Sequence, residues 1–347
     1  MTTLRLGRSG LVVNRLGFGA LPIQRCDMDD AVAILRRAVD GGINFFDTAR
    51  AYTDSEAKLG QALQGVRHKV HIATKTKGEN AAEMEADIQA SLSALRTDYI
   101  DLYQMHNPKT APLPDDGTGR YETLLRLKQS GKIRFIGLTN HSVQTALQAV
   151  ESGYYDTVQY PFTLLASPQE EELVARCSQK DVGFIAMKAL GGGLLTNIPA
   201  VFAYIHKFGN VLPIWGIQRM SELEEILALE KAPPVWNDAT RQVADAEKKA
   251  LGGRFCRSCG YCLPCPQNIQ IPLIARMELT LRRMPWRLFA TPQWQENVRR
   301  AETCIKCGDC AGRCPYGLDP AGLVARCAAD YWEFLRAHDV SVVAGEG

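Results

Sequence analysis

Between residue 15 and about residue 230, short β-branched or apolar runs alternate with stretches whose apolar positions recur at helical spacing. That alternation is the pattern of a parallel sheet whose strands are joined by crossover helices. Eight runs read as strands: Leu16–Ala20, Asn44–Ala49, His71–Thr76, Ile100–His106, Ile133–Asn140, Thr157–Pro161, Phe184–Leu190 and Val211–Gln218. Amphipathic stretches such as Ala31–Val39 and Met84–Leu95 lie between them, and glycines such as Gly41 and Gly131 stop the helices. Eight such units predict a closed (β/α)8 TIM barrel, with Leu4–Val13 as a hairpin plugging its bottom. After Glu230 the pattern changes. Pro233, Pro234, a polar helix over Asp238–Lys249 and Gly252-Gly253 read as a linker, so the boundary is expected within residues 232–253. Beyond it Ile271–Arg300 and Pro320–Ala337 are helical in pattern, which predicts a barrel over residues 1–235 and a small, mainly helical module over 250–340.

Composition narrows the function classes. With 46% hydrophobic residues and Lys+Arg 40 against Asp+Glu 38, the chain can bury a large core but has no charge excess for nucleic acid or anionic lipid. No run of 18 uncharged apolar residues occurs, and the basic start of the chain is not followed by an apolar segment, so a cytoplasmic protein is expected. Eight of the eleven cysteines crowd into two clusters near the C-terminus. Reduced thiolates on metal fit that crowding better than disulfides.

Active sites of (β/α)8 barrels lie at the C-terminal ends of the strands. Four polar residues fall there: Asp47 ending the second strand, Tyr52 in the loop that follows it, Lys75 ending the third and His106 ending the fourth. Singly, each is ordinarily a cap or a hydrogen-bonded packing residue; together at one mouth they make a catalytic candidate. The run Gly42-Ile43-Asn44-Phe45-Phe46-Asp47-Thr48-Ala49, with Tyr52 and Ser55-Glu56 after it, resembles the aldo-keto reductase signature. Asp98–Tyr103, Gly131–Asn140 and the Leu4–Gly19 region match as well, so the likeness covers about residues 4–228.

That resemblance implies an oxidoreductase in which Tyr52 is the general acid for a carbonyl oxygen as hydride reaches the carbon. Lys75 would lower the tyrosine pKa, Asp47 would hold Lys75, and His106 would orient the substrate oxygen or the tyrosine. It also implies an NAD(P)H cofactor. Thr139, Asn140 and Gln159 would meet the nicotinamide carboxamide, Gly191, Gly192 and Gly193 would cover the pyrophosphate, and Arg219 could reach a phosphate. Three positions depart from the family: Met187 replaces the aromatic that stacks on nicotinamide, Ile226 the adenine-binding asparagine, and Glu222 an arginine for the 2′-phosphate. A merely tight, flexible loop is the competing reading of the glycines.

Cys256-x2-Cys259-x2-Cys262-x2-Cys265-Pro266 and Cys304-x2-Cys307-x2-Cys310-x3-Cys314-Pro315 are the most specific motifs in the chain. Each trio can take three corners of a [4Fe–4S] cubane, and in two-cluster ferredoxins the cysteine before proline ligates the other cluster. One cluster would use Cys256, Cys259, Cys262 and Cys314; the other Cys304, Cys307, Cys310 and Cys265. The first run departs from the ferredoxin spacing, with only Leu263 and Pro264 before its fourth cysteine. Zinc on Cys-x2-Cys knuckles is the alternative. Cys26, Cys177 and Cys327 read as buried, inert thiols. The combination resembles the aldo-keto reductase subgroup with a C-terminal, α-helical ferredoxin-like domain.

The expected function is hydride exchange between NAD(P)H and a small carbonyl or alcohol, with two clusters relaying electrons to a one-electron partner. Hydride carries two electrons and a cluster one, so coupling needs a flavin, a redox-active substrate or such a partner. Two alternatives stay open: an electron-transfer barrel using a flavin or redox-active substrate without nicotinamide, and an ordinary reductase whose clusters are structural or sensing.

Overall fold

The computed structural model describes residues 2–193, 195–251, 256–258, 260–283, 285–314 and 316–341. The chain divides into two compact units, Met1–Ala244 and Asp245–Gly347.

The first unit opens with an antiparallel hairpin, β1 (Thr3–Arg5) and β2 (Val12–Asn14). Eight parallel strands then close a barrel: β3 (Gly17–Gly19), β4 (Phe45–Asp47), β5 (His71–Thr76), β6 (Ile100–His106), β7 (Ile133–Thr139), β8 (Thr157–Pro161), β9 (Gly183–Met187) and β10 (Val211–Gly216). Neighbours follow chain order, and β10 pairs with β3 to complete the ring. Leu6, Leu11 and Val13 from the hairpin pack against Phe45, Ala73, Leu102 and Leu212, which plugs the barrel bottom as the sequence predicts.

Eight helices cover the barrel: α1 (Met28–Asp40), α2 (Ser55–Ala62), α3 (Ala81–Leu95), α4 (Arg120–Gln129), α5 (Val143–Ser152), α6 (Pro168–Gln179), α7 (Ile198–His206) and α8 (Met220–Lys231). In α1 the buried residues are Ala31, Ile34, Leu35 and Ala38, one stripe of a 3.6-residue period. The Asp27 side chain accepts from Asp30 N at its start, and Ser167 with Glu170 forms a capping box on α6. Five strands end earlier than the sequence suggests: β3 and β7 by one residue, β4 and β10 by two, and β9 by three. β9 stops at Met187 because Lys188 turns to a left-handed backbone with φ 58°, and β10 stops at Gly216.

The second unit is built from helices, with no strand among its described residues: the end of α9 (Asp238–Leu251), then α10 (Ile271–Ile274), α11 (Met277–Arg283), α12 (Pro292–Glu302), α13 (Asp309–Gly312) and α14 (Pro320–Ala337). α14 supplies its spine, burying Leu323, Val324, Cys327, Ala328, Tyr331 and Leu335 along one face against Ile274, Met277 and Val298. Among the described residues no helix is long and apolar enough to cross a membrane.

Candidate functional site

The C-terminal ends of the barrel strands bring Asp47, Tyr52, Lys75 and His106 together. Lys75 Nζ donates to Asp47 Oδ1 and to the Thr48 carbonyl, each at 2.6 Å, and both side chains are buried. The same ammonium lies 5.0 Å from the centre of the Tyr52 ring. His106 meets that ring edge-on with centroids 5.8 Å apart.

Residues of the signature hold Tyr52 in place. Thr48 Oγ1 and Ser55 Oγ are hydrogen-bonded at 2.9 Å, and Ser55 Oγ donates to the Ala20 carbonyl. Buried Glu56 pairs with Arg50 and accepts from Thr74 Oγ1 at 2.7 Å. The loop that carries Tyr52 is thereby tied to the end of β3, to β5 and to α2.

Burial and charge set the protonation states. Burial pushes the Tyr52 hydroxyl above the tyrosine value; Lys75 pulls it down, as the sequence predicts, but does not offset burial, so the net shift is upward. Lys75 loses solvation by burial, yet Asp47 and Tyr52 beside it hold its pKa above the lysine value. Burial drives His106 well below 6.5, helped by Lys75, Lys77 and Lys188, so its imidazole is neutral at pH 7. A protonated tyrosine, a charged lysine and a neutral histidine form a donor set suited to a developing alkoxide.

The expected nicotinamide residues stand at the same mouth, with their polar groups engaged. Asn140 donates to the Pro108 carbonyl at 2.8 Å and accepts from Ser142 N at 2.7 Å. Gln159 donates to Asp47 Oδ1 at 3.3 Å and accepts from Gln104 Nε2 at 2.8 Å. Thr139 Oγ1 contacts the Met187 sulfur at 3.9 Å. Gly191, Gly192 and Gly193 all have positive φ (61°, 78° and 83°), a backbone conformation that favours glycine. The Gly191 and Gly193 amides donate within the turn, to Lys188 and Leu190 carbonyls. Arg219 precedes α8 with its side chain 71% exposed, and Glu222 accepts from the Gln218 and Arg219 amides at the helix start.

In the second unit the two cysteine runs share one backbone pattern. Ser258 and Lys306, each two residues after the first cysteine of its run, have φ of 60° and 53°; Gly260 and Gly308, next but one, have φ of 85°. Asn268 and Gly317, each three residues after the cysteine that precedes proline, have φ of 54° and 61°. Such left-handed steps turn successive amides toward one side, and Ser258 N donates to Cys256 Sγ at 3.4 Å. Cys262 and Cys265, from the first run, line one pocket with Cys304, Cys307 and Cys310 from the second. Among the described residues no three His, Cys, Asp or Glu side chains are close enough to hold a single ion. Cys256, Cys262 and Cys314 belong to or pack on the same apolar core; Cys259 lies outside the described residues. Of the three remaining cysteines, Cys177 and Cys327 are buried, and burial raises the Cys177 thiol to about 12. Cys26 is only half-buried and donates to the Gln218 carbonyl.

Residues 15–200 match the family model described as the aldo/keto reductase family. The chain belongs to that family. Residues 255–319 match a second model, a 4Fe-4S dicluster domain. L-galactose dehydrogenase of Arabidopsis thaliana is 31% identical over 274 residues, which cover 74% of this chain and 75% of that protein. Probable aldo-keto reductase 1 of Glycine max is 31% identical over 221 residues, covering 56% of this chain and 63% of the soybean protein's length. Among solved structures, a putative aldo-keto reductase from Pseudomonas aeruginosa superposes with a TM-score of 0.59 at 28% identity, over 65% of this chain and 93% of that one. An aldo-keto reductase from Klebsiella pneumoniae, solved in complex with NADPH, shares the fold with a TM-score of 0.62 at 24% identity, over 71% and 94% of the two chains.

Sequence reasoning about this aldo/keto reductase passed over two features of the mouth. Gln104 Nε2 reaches both Asp47 Oδ2 (3.3 Å) and Gln159 Oε1 (2.8 Å) from a fully buried position. The signal was present: Leu102, Gln104 and His106 share one face of β6 by strand alternation, and an amide inside a barrel needs partners. Lys188 Nζ lies 3.3 Å from His141 Nε2, joining the loops after β9 and β7. No local motif announces that pair.

Proposed function

We propose that the barrel, residues 1–235, reduces a small-molecule carbonyl, or oxidises the matching alcohol, by hydride exchange with NAD(P)H. The module over residues 250–340 would hold two [4Fe–4S] clusters that relay electrons. The buried Lys75–Asp47 pair beneath Tyr52, with neutral His106 at its edge, carries this reading. A bound nicotinamide supplies the hydride; the chain supplies the rest. Tyr52 gives its proton to the carbonyl oxygen, Lys75 stabilises the phenolate left behind, and Asp47 fixes Lys75. His106, neutral, hydrogen-bonds the substrate oxygen. Thr139, Asn140 and Gln159 would face the nicotinamide, with Gly191–Gly193 and Arg219 near its phosphates. The NADPH complex of the Klebsiella protein is consistent with that cofactor.

The cluster assignment draws on the dicluster match, the cysteine spacing and the pocket in which Cys262 and Cys265 of the first run meet Cys304, Cys307 and Cys310 of the second. The other cluster would take Cys256, Cys259, Cys262 and Cys314. Thiolate-ligated clusters suit a reducing cytoplasm and a one-electron redox partner. One observation favours the flavin or redox-active-substrate reading: Met187, its sulfur beside Thr139, stands where the stacking aromatic is expected.

The test uses anaerobically purified full-length protein with NADPH or NADH and a panel of aldehydes and ketones, followed by nicotinamide absorbance. Carbonyl-dependent oxidation of either nucleotide is expected. No turnover with either, together with extractable flavin, would replace this reading with the electron-transfer one.

A further inference from the structure

Beneath the mouth, three buried side chains close a ring of hydrogen bonds. Asp47 Oδ2 accepts from Gln104 Nε2 at 3.3 Å, and Asp47 Oδ1 accepts from Gln159 Nε2 at 3.3 Å. Gln104 Nε2 also donates to Gln159 Oε1 at 2.8 Å. Both of its neighbours present acceptors, so the amide has only one sensible orientation: nitrogen toward Asp47 and Gln159. Its oxygen is then left buried with no hydrogen-bond partner. Leucine or methionine would fill the same space without that orphan. The amide therefore earns its place through the nitrogen. The neighbouring strand β7 accommodates it, since Gly137 is the register partner of Gln104 and a Cβ there would stand 2.9 Å from Gln104 Cγ.

We infer that Gln104 is a positioning residue: it holds Asp47 as a carboxylate facing Lys75 and presets the orientation of Gln159. It touches neither substrate nor cofactor in this role; its effect on the chemistry passes through Asp47. The charged and titratable groups around Asp47 are Lys75 from β5 and Tyr52 from the loop after β4, with His106 ending β6 beyond them and Lys77 and Lys188 acting on that histidine. β3 contributes only Gly19 as the register partner of Asp47. Of the donors to the carboxylate, Lys75 and Gln159 serve Oδ1, which leaves Gln104 the donor to Oδ2 among the described residues. Removing it exposes Oδ2 to a buried, apolar wall and favours protonation of Asp47.

The catalytic meaning of this inference rests on the carbonyl-reduction reading, but its test does not. In the full-length holoprotein, the protonated-carboxyl infrared band of Asp47 is followed against pH in wild type and Gln104→Met, with Asp47→Asn as the blank. The midpoint is expected to move up by about one to two pH units in Gln104→Met, the loss of one hydrogen bond to a charged group. Cluster absorbance and melting temperature serve as controls for folding. If Gln104→Met does not fold, Gln104→Asn, whose amide is one methylene shorter and cannot span both acceptors, takes its place with the same expected direction. Superimposable titrations would overturn the inference. A second arm measures carbonyl reduction: the acid limb of kcat/KM should shift in the same direction and kcat should fall about tenfold, with KM for the carbonyl nearly unchanged. Absence of turnover in the wild type would sink the reductase reading alone, because the infrared titration still decides the role of Gln104.

Discussion

At the scale of single residues, the mouth combines groups whose charges only make sense together. Lys75 is buried, and a buried ammonium is sustained by the Asp47 carboxylate at 2.6 Å. Tyr52 keeps its proton through neutral pH because burial raises its pKa, which suits a proton donor. Tyr52→Phe keeps the ring and removes the proton, so carbonyl reduction should fall by a factor of about 10² to 10⁴ while cluster absorbance is unchanged. Turnover within a few-fold of wild type would refute the role of Tyr52. His106 gives a separate handle through pH. Its pKa lies well below 6.5, so it stays neutral as the pH falls from 8 to 6. The rate of carbonyl reduction should therefore show no histidine step in that window that disappears in His106→Gln; a step near 6.5 removed by that variant would contradict the neutral imidazole.

At the scale of elements, α7 carries a test of stability. His206 at its end stacks on Phe202 with centroids 4.0 Å apart, and burial, with Arg15 nearby, lowers its pKa to about 3. The unfolded chain takes up this proton near 6.5 and the folded chain only near 3, so stability should fall as pH drops through that interval. His206→Phe should flatten the acid slope of the melting temperature; an unchanged slope would show that other groups dominate. At α8, Glu222 places a fixed carboxylate on the helix-start amides, where an anion would otherwise be favoured. Glu222→Gln should thus tighten NADPH binding relative to NADH, read from the two dissociation constants. The eight strands and their order were legible because a buried parallel strand is a continuous apolar run, and such runs recur between amphipathic helices. Strand ends were less legible. Nothing in Met187-Lys188-Ala189 announces the left-handed Lys188 that ends β9, since a non-glycine residue reaches that conformation only under surrounding constraint. Asp47, Tyr52, Lys75 and His106 could be read from their places at strand ends, whereas Gln104 and the Lys188–His141 contact depend on which strands become neighbours around the ring.

At the scale of the whole molecule, the question is whether the tail holds two clusters and which cysteines each takes. The two runs repeat one backbone pattern, with left-handed residues at Ser258 and Lys306, then at Gly260 and Gly308, and then at Asn268 and Gly317. That repetition supports two equivalent sites, so anaerobically isolated protein should contain close to eight iron and eight sulfide, about four of each per cubane. Stoichiometric zinc without visible charge-transfer absorption would refute it. The pairing can be tested by one substitution. Cys265 belongs to the first run in sequence, and with Cys262 of that run it lines a pocket with Cys304, Cys307 and Cys310 of the second, so the pocket alone does not decide the pairing. If each run kept its own fourth cysteine, Cys265→Ala would damage the cluster of Cys256, Cys259 and Cys262. If the fourth cysteines cross over, the same substitution strikes the cluster of Cys304, Cys307 and Cys310. These outcomes separate when Cys265→Ala is compared with Cys307→Ala and Cys256→Ala by electron paramagnetic resonance of the reduced proteins. Crossing over predicts that Cys265→Ala reproduces the spectrum of Cys307→Ala, with iron falling toward four or the affected cluster losing one corner. A spectrum matching that of Cys256→Ala would assign Cys265 to its own run and reverse the pairing.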